Sequence, residues 1–301
     1  MKKVKLLFSS FLPVIASLAI QIGVMVVISF WFSVVSTIRL IIEGVSDPEQ
    51  LVSGVTTLLL DPLYNDVLMG ATFIALVVFF LIWYKKQKDR PVPVAFDEVF
   101  CIRNLAIFLF AGLAVQIAVS MCLNLILPLF PRTYDNYMQI IESLIGGNVI
   151  VSVISTALLA PVAEEIIFRE LMMKKLRRVF PFWFANIVQA LAFGIYHLNI
   201  VQGIYAFLLG LLFGYLAYRM KSVWASVMLH GVVNASGLVL DIILPEALFE
   251  SNGGMIVCAV LCSTITLLLT LLYRIPGEDE AVPVTEVVLS EDAAEPDSDS
   301  L

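Results

Sequence analysis

The apolar segments of this 301-residue chain constrain its fold more than any other feature. A helix needs about 20 consecutive apolar residues to cross the hydrocarbon core of a bilayer, and 60% of the residues here are hydrophobic while only 14% are charged. Runs of suitable length lie near residues 6–32, 64–84, 104–130, 148–173, 183–200, 202–218, 222–244 and 255–273. The fifth and sixth runs are short, and only a few residues separate them. The sequence therefore predicts an all-α fold, a polytopic membrane helix bundle with about eight transmembrane helices.

The distribution of basic residues predicts how these helices are oriented, because loops rich in Lys and Arg stay in the cytoplasm. With eight spans and the N-terminus inside, 15 of the 18 Lys and Arg side chains fall in cytoplasmic segments. Only Arg39 and Arg132 fall outside, and Arg169 lies within a span. We therefore expect an integral membrane protein with both termini in the cytoplasm. The expected location is a bacterial plasma membrane, with the lipid bilayer as a partner.

The net charge of −7 says little about function, because nine of the 25 acidic residues follow Gly277. The residues before that point carry 18 basic and 16 acidic side chains, so the balance gives no indication of nucleic-acid binding. The predicted organisation has four parts. They are N-terminal membrane helices of unassigned role (1–144), a core that carries most of the intramembrane ionisable residues (145–245), a last transmembrane helix (246–275) and a disordered acidic cytoplasmic tail (276–301).

The stretch PVAEEIIFRELMM, residues 161–173, places two glutamates and an arginine inside an apolar run. Charged side chains are costly there, so they usually face one another or a wet cavity and serve a function. Glu165 and Arg169 are i,i+4 neighbours on a helix, which predicts an ion pair. Glu164 points about 100° away from Glu165 and is free for another partner. Pro161 removes a helical hydrogen bond to the carbonyl of Ala157, which predicts a kink that admits water beside Glu164.

The two histidines of the chain also lie in predicted spans. His197 ends the pattern Phe193-x-x-x-His197, and His230 begins His230-x-x-x-Asn234, whose spacing puts imidazole and amide on one helix face. Counting the helical rise from the cytoplasmic ends puts these side chains and Glu164 at overlapping depths of about 12 to 21 Å. Such a set supplies a base for water and donors for an oxyanion, which hydrolysis of an amide requires.

In this order and on successive helices, Glu164-Glu165-x-x-x-Arg169, Phe193-x-x-x-His197 and His230-x-x-x-Asn234 resemble a known signature. It is that of the intramembrane CAAX-protease and bacteriocin-processing family, which includes type II CAAX prenyl endopeptidases and lysostaphin-resistance-like proteins. The resemblance covers about residues 145–245. It implies an intramembrane endopeptidase acting on a peptide or membrane-anchored protein, including prenylated and bacteriocin-type substrates.

The resemblance also implies roles for individual residues. Glu164 and His197 would activate the attacking water, and His230 and Asn234 would form the oxyanion site. Supporting roles would fall to Glu165, Arg169 and Phe193. One position departs from the family pattern: the residue after the arginine is commonly glycine, and here it is Glu170. We expect this carboxylate to compete for Arg169 or to alter access to the site, with more effect on substrate choice than on catalysis.

No cofactor is predicted. Zinc bound by Glu164, His197 and His230 is the less favoured alternative, because the chain lacks the H-E-x-x-H pattern that fixes two ligands on one helix face. Two other functions remain open. A proton-coupled transporter also uses buried Glu, His and Arg, although no internal repeat is visible. A catalytically silent family member would act as an immunity or scaffold protein.

Overall fold

The computed structural model describes residues 2–87, 99–130, 135, 137–139, 147–239 and 251–272. The predicted tail, 276–301, lies outside the described residues, as do parts of the loops around residues 88–98, 131–146 and 240–250. The predicted boundaries at residues 144/145, 245/246 and 275/276 also fall outside them and stay predictions.

The described residues form ten helices and no strand. The first five are α1 (Lys2–Ser10), α2 (Leu12–Ile42), α3 (Pro48–Leu59), α4 (Pro62–Lys85) and α5 (Ile102–Ile126), which a 3₁₀ turn extends over Leu127–Leu129. The others are α6 (Val149–Leu176), α7 (Phe182–Tyr196), α8 (Ile200–Arg219), α9 (Val223–Gly237) and α10 (Asn252–Leu272). The protein is thus a polytopic helix bundle, as the sequence predicts.

The number of membrane-crossing helices is close to the expected eight. In the described part of the chain, six helices are long and apolar enough to cross a membrane, and they include α2, α4, α5, α6, α8 and α10. The fifth and seventh expected spans correspond to α7 and α9, and each of these helices has 15 residues. A helix of that length covers about 22 Å, less than the ~30 Å hydrocarbon core. These two helices therefore end inside the bundle, where irregular backbone is tolerated if it lines a cavity.

Two Asp-Pro pairs begin helices α3 and α4. The Asp47 carboxylate accepts a hydrogen bond from the Glu49 N–H at 3.3 Å and caps α3. The Asp61 carboxylate accepts one from the Leu63 N–H at 2.8 Å and caps α4. In both cases proline occupies the first helical turn, where its missing N–H costs nothing.

Helix α6 passes through Pro161 without interruption but changes its winding. Two π-helical segments, Ile154–Leu159 and Ile166–Met173, flank a short α-helical segment that carries both glutamates. In the first segment the Ala160 N–H bonds to the carbonyl of Ser155, five residues back. The next donor in that pattern would be Pro161, which has no N–H, so the Thr156 carbonyl lacks its helical partner. The expected kink is therefore a π-helical widening, a feature common at functional sites.

Helix α8 packs against α7 through Gly210 and Gly214, whose spacing predicts close helix packing. The carbonyl of Gly210 accepts a hydrogen bond from Gln189 Nε2 at 2.8 Å, and a Cβ at Gly214 would overlap the side chains of Asn186 and Gln189. Asn186 Nδ2 donates to the Leu211 carbonyl at 3.0 Å. The glycines thus make room for two buried amides that join the helices.

The orientation of the bundle is testable, because basic side chains end α4, α6 and α8 at one end. We expect single cysteines, introduced into a cysteine-free chain, to react with an impermeant maleimide only at the outer face. Residues 47, 135 and 251 should be labelled in intact cells, and residues 88, 174 and 298 only after permeabilisation. Labelling of residue 174 in intact cells would reverse the orientation.

Candidate active site

A cavity of about 620 Å³ lies at the end of the bundle where α5, α7 and α9 end and α6 and α8 begin. All four residues predicted to be catalytic line it, together with one of the predicted supporting residues: Glu164, His197, His230, Asn234 and Phe193. The structure thus brings together side chains from α6, the end of α7 and α9. Their chemical roles remain predictions.

The two adjacent glutamates have different surroundings. Glu164 lines the cavity and is 8% exposed, whereas Glu165 is fully buried. One Glu165 oxygen, Oε1, lies 3.0 Å from Arg169 Nη1, forming the ion pair that the i,i+4 spacing predicts. Glu170 does not compete for this arginine, because it pairs with Lys174 one turn further along. Nor does Glu170 line the cavity.

Arg169 is 2% exposed, and its guanidinium also contacts aromatic rings. Its guanidinium carbon lies 4.5 Å from the ring centre of Phe193 and 5.4 Å from that of Phe213. Its Nη2 donates to the Gly210 carbonyl at 3.4 Å. Cation–π contacts gain strength when desolvated, so the rings compensate in part for the loss of water around this charge. Phe193 thereby acquires a structural role beside its place in the cavity wall.

His230 links the buried ion pair to the cavity. Its Nδ1 lies 2.8 Å from Glu165 Oε1, and because a carboxylate only accepts hydrogen bonds, Nδ1 carries a proton. The ring stacks on Phe213 with centres 4.6 Å apart. The other nitrogen, Nε2, lies 3.7 Å from Glu164 Oε2, too far for a hydrogen bond. Glu165 therefore holds both Arg169 and His230, whereas the sequence predicts only the first contact.

The expected span of residues 183–200 implies that His197 lies inside a helix. In the structure, His197 instead immediately follows the last residue of α7. Its Nδ1 lies 2.8 Å from the carbonyl of Phe193, which lacks a helical donor at the end of α7. A carbonyl only accepts, so Nδ1 is protonated, and in the neutral ring Nε2 keeps its lone pair. The chain then turns through Leu198, whose φ is 55°, before α8 begins. The Phe193–His197 spacing thus fixes the tautomer of the histidine.

Asn234 joins α9 to the widened turn of α6. Its Nδ2 donates at 2.8 Å to the Thr156 carbonyl, the one that Pro161 leaves without a helical donor. The helices approach closely here, since a Cβ at Gly231 would lie 2.8 Å from the Ala157 carbonyl. An amide nitrogen carries two hydrogens, so one N–H of Asn234 is left for another acceptor.

Sequence reasoning missed several polar residues around the site. Tyr196, next to His197, receives a hydrogen bond from Gln21 Nε2 at 2.7 Å and contacts Ser17, both on α2. This contact ties the end of α7 to the N-terminal helices. The available signal was the presence of polar side chains within apolar spans, which often marks contacts between helices.

The described residues contain no group of three His, Cys, Asp or Glu side chains arranged to hold a metal ion. Glu164 and His230 lie close together, and His197 lines the same cavity without completing such a group. The zinc alternative is thus a matter for direct measurement.

Comparison with known proteins adds information about residues 146–236. They match the family model described as "Type II CAAX prenyl endopeptidase Rce1-like". A Bacillus subtilis (strain 168) protein, "Putative membrane peptidase YdiL", is 27% identical over 90 residues, which cover 30% of this chain and 37% of the relative. The match thus spans little more than a third of that protein. No solved structure matches the chain significantly. The matched region contains every residue of the three motifs.

Proposed function

Because residues 146–236 match the model of a CAAX prenyl endopeptidase family, we propose that the chain is an intramembrane endopeptidase that uses water activated by Glu164. The substrates would be membrane-associated peptides, including prenylated or bacteriocin-type ones. One observation carries the proposal: a carboxylate from α6, the imidazole that follows α7, and an imidazole and an amide from α9 line one cavity inside a membrane bundle.

The reaction would begin with water held at Glu164. Glu164 removes a proton as the water oxygen adds to the peptide carbonyl carbon, and the unprotonated Nε2 of His197 orients the water. The same proton then passes from Glu164 to the leaving amine as the C–N bond breaks. Glu164 Oε2 and His230 Nε2 lie 3.7 Å apart, so both side chains can reach the same reacting group.

The negative oxygen of the intermediate would be stabilised by His230 and Asn234. With a proton on each ring nitrogen, His230 would direct its Nε2–H into the cavity while its Nδ1–H bonds to Glu165. The free N–H of Asn234 is the second donor. Donors fixed before the reaction are effective because little reorganisation is needed as charge develops. The supporting role of Glu165 is then to hold His230 in a donating orientation.

A comparison of protein N-termini would test this function in living cells and needs no purified substrate. Membranes and culture medium would be compared between cells that express the wild-type chain and cells that express Glu164→Gln at equal levels. We expect new N-termini in membrane-associated proteins or peptides only with the wild type. Identical profiles would support the catalytically silent alternative.

We also expect purified protein to contain no stoichiometric metal and to keep its activity in EDTA and phenanthroline. The reason is that the proposed mechanism gives Glu164, His197 and His230 roles that need no metal. A zinc protease inactivated by the same treatment is the control. One zinc per chain, lost together with activity and restored by Zn²⁺, would contradict the expectation and make these three residues ligands.

A further inference from the structure

Helix α5 lines the cavity with a stripe of polar side chains that the three motifs do not include. The stripe consists of Gln116, Ser120 and Asn124, at positions i, i+4 and i+8. It lies outside residues 146–236, in the part of the chain to which the sequence assigns no role. The rest of α5 is largely apolar, so three polar residues on the cavity side form a distinct surface.

Contacts within the stripe hold the side chains along the helix. Gln116 Nε2 donates to Ser120 Oγ at 3.4 Å, and Asn124 Nδ2 donates to the Ser120 carbonyl at 2.9 Å. Each amide also carries a second N–H and a carbonyl oxygen. On the facing helix α9, a Cβ at Gly237 would lie 3.1 Å from Gln116 Nε2, so glycine makes room for this side chain.

The spacing of the stripe matches that of an extended peptide. Residues four apart on a helix are separated by about 6 Å along its axis, and residues two apart on an extended strand by about 6.6 Å. Amides and hydroxyls at this interval can pair with successive N–H and C=O groups on one edge of a strand. The cavity volume of about 620 Å³ lies within the range of about 300–1,000 Å³ for ligand sites.

We propose that the stripe binds the main chain of an extended peptide whose scissile bond lies at Glu164. This inference rests on the proposed function for the identity of the occupant. Main-chain pairing gives affinity independently of side chains, as when a peptide adds to the edge of a sheet. Gln116, the stripe residue packed against α9, then binds the main chain directly and sets the register of the peptide.

Photocrosslinking would identify the occupant. A benzophenone amino acid would replace Asn124, an exposed stripe residue, in a chain that also carries Glu164→Gln to prevent turnover. The same replacement at Cys122, which is exposed and points about 160° away on the same helix, is the matched control. Irradiated cells should yield peptide adducts from position 124 and not from position 122. Absence of peptide adducts at position 124 in folded, membrane-inserted protein would overturn the proposal.

The recovered peptide, made synthetically, would then be titrated into the purified Glu164→Gln protein. We expect Gln116→Leu to weaken the Kd roughly tenfold, as for one or two lost hydrogen bonds, while Cys122→Leu changes it less than twofold. The peptide N–H that faces Gln116 can also be replaced by an ester oxygen. This replacement should raise the Kd for the protein that keeps Gln116, and it should change the Kd of Gln116→Leu little. An equal ester effect at every position in both proteins would overturn main-chain binding by the stripe.

The two proposals fail in different ways. If the peptide binds with the expected dependence on Gln116 but the wild-type chain does not cleave it, the endopeptidase function is wrong and the binding site remains. If the wild type cleaves the peptide and Gln116→Leu leaves its Kd unchanged, the function stands and the stripe inference is wrong.

Discussion

Turnover of peptide substrate is expected to fall by about 10²- to 10⁴-fold when Glu164 is replaced by Gln, as for the loss of a general base. Glutamine keeps the size of the side chain but cannot take the proton of the attacking water. Glu164 has no salt bridge to Arg169 that the substitution would break, and its distance to His230 is already 3.7 Å. Thermal stability should therefore change little.

A matched control is Glu170→Gln on the same helix. Glu170 pairs with Lys174 away from the cavity, so its substitution should leave turnover within a few-fold. Activity would be measured on a peptide identified from the comparison of N-termini, and folding by thermal unfolding in detergent. Full activity of Glu164→Gln would contradict the proposed role of this residue as the base.

Replacing Glu165 with Gln should destabilise the protein by about 3–5 kcal/mol, the usual range when one partner of a buried ion pair is removed. Arg169 would keep its charge at 2% exposure without a carboxylate, and His230 would lose the acceptor of its Nδ1–H. Both consequences follow from one substitution because Glu165 Oε1 contacts both partners.

The exposed pair Arg39–Glu43 provides the control for this prediction. It is also an i,i+4 pair, with a distance of 2.9 Å, but both side chains are more than half exposed. Glu43→Gln should therefore leave the unfolding temperature almost unchanged. If Glu164→Gln and Glu165→Gln lowered that temperature equally, the glutamates would only hold helices together, and the separation into catalytic and supporting roles would be wrong.

Interactions between neighbours along the chain could be predicted from the sequence. The apolar runs predicted a membrane helix bundle, because each run is about long enough to cross the hydrocarbon core of a bilayer and is unfavourable in water. The Glu165–Arg169 ion pair followed from helix geometry, since residues four apart lie on the same face. The order of the motifs also indicated the family that the comparison with known proteins supports.

Contacts between helices were decided by the tertiary structure. Glu165 and His230 are 65 residues apart, and their contact depends on how far α6 and α9 are rotated about their axes and shifted along them. The bond from Asn234 to the Thr156 carbonyl needs a π-helical turn as well as Pro161. An apolar run specifies neither rotation nor depth, because lipid and neighbouring helices are equally apolar. For that reason the sequence indicated candidate residues for the chemistry, and only packing determined which of their atoms meet.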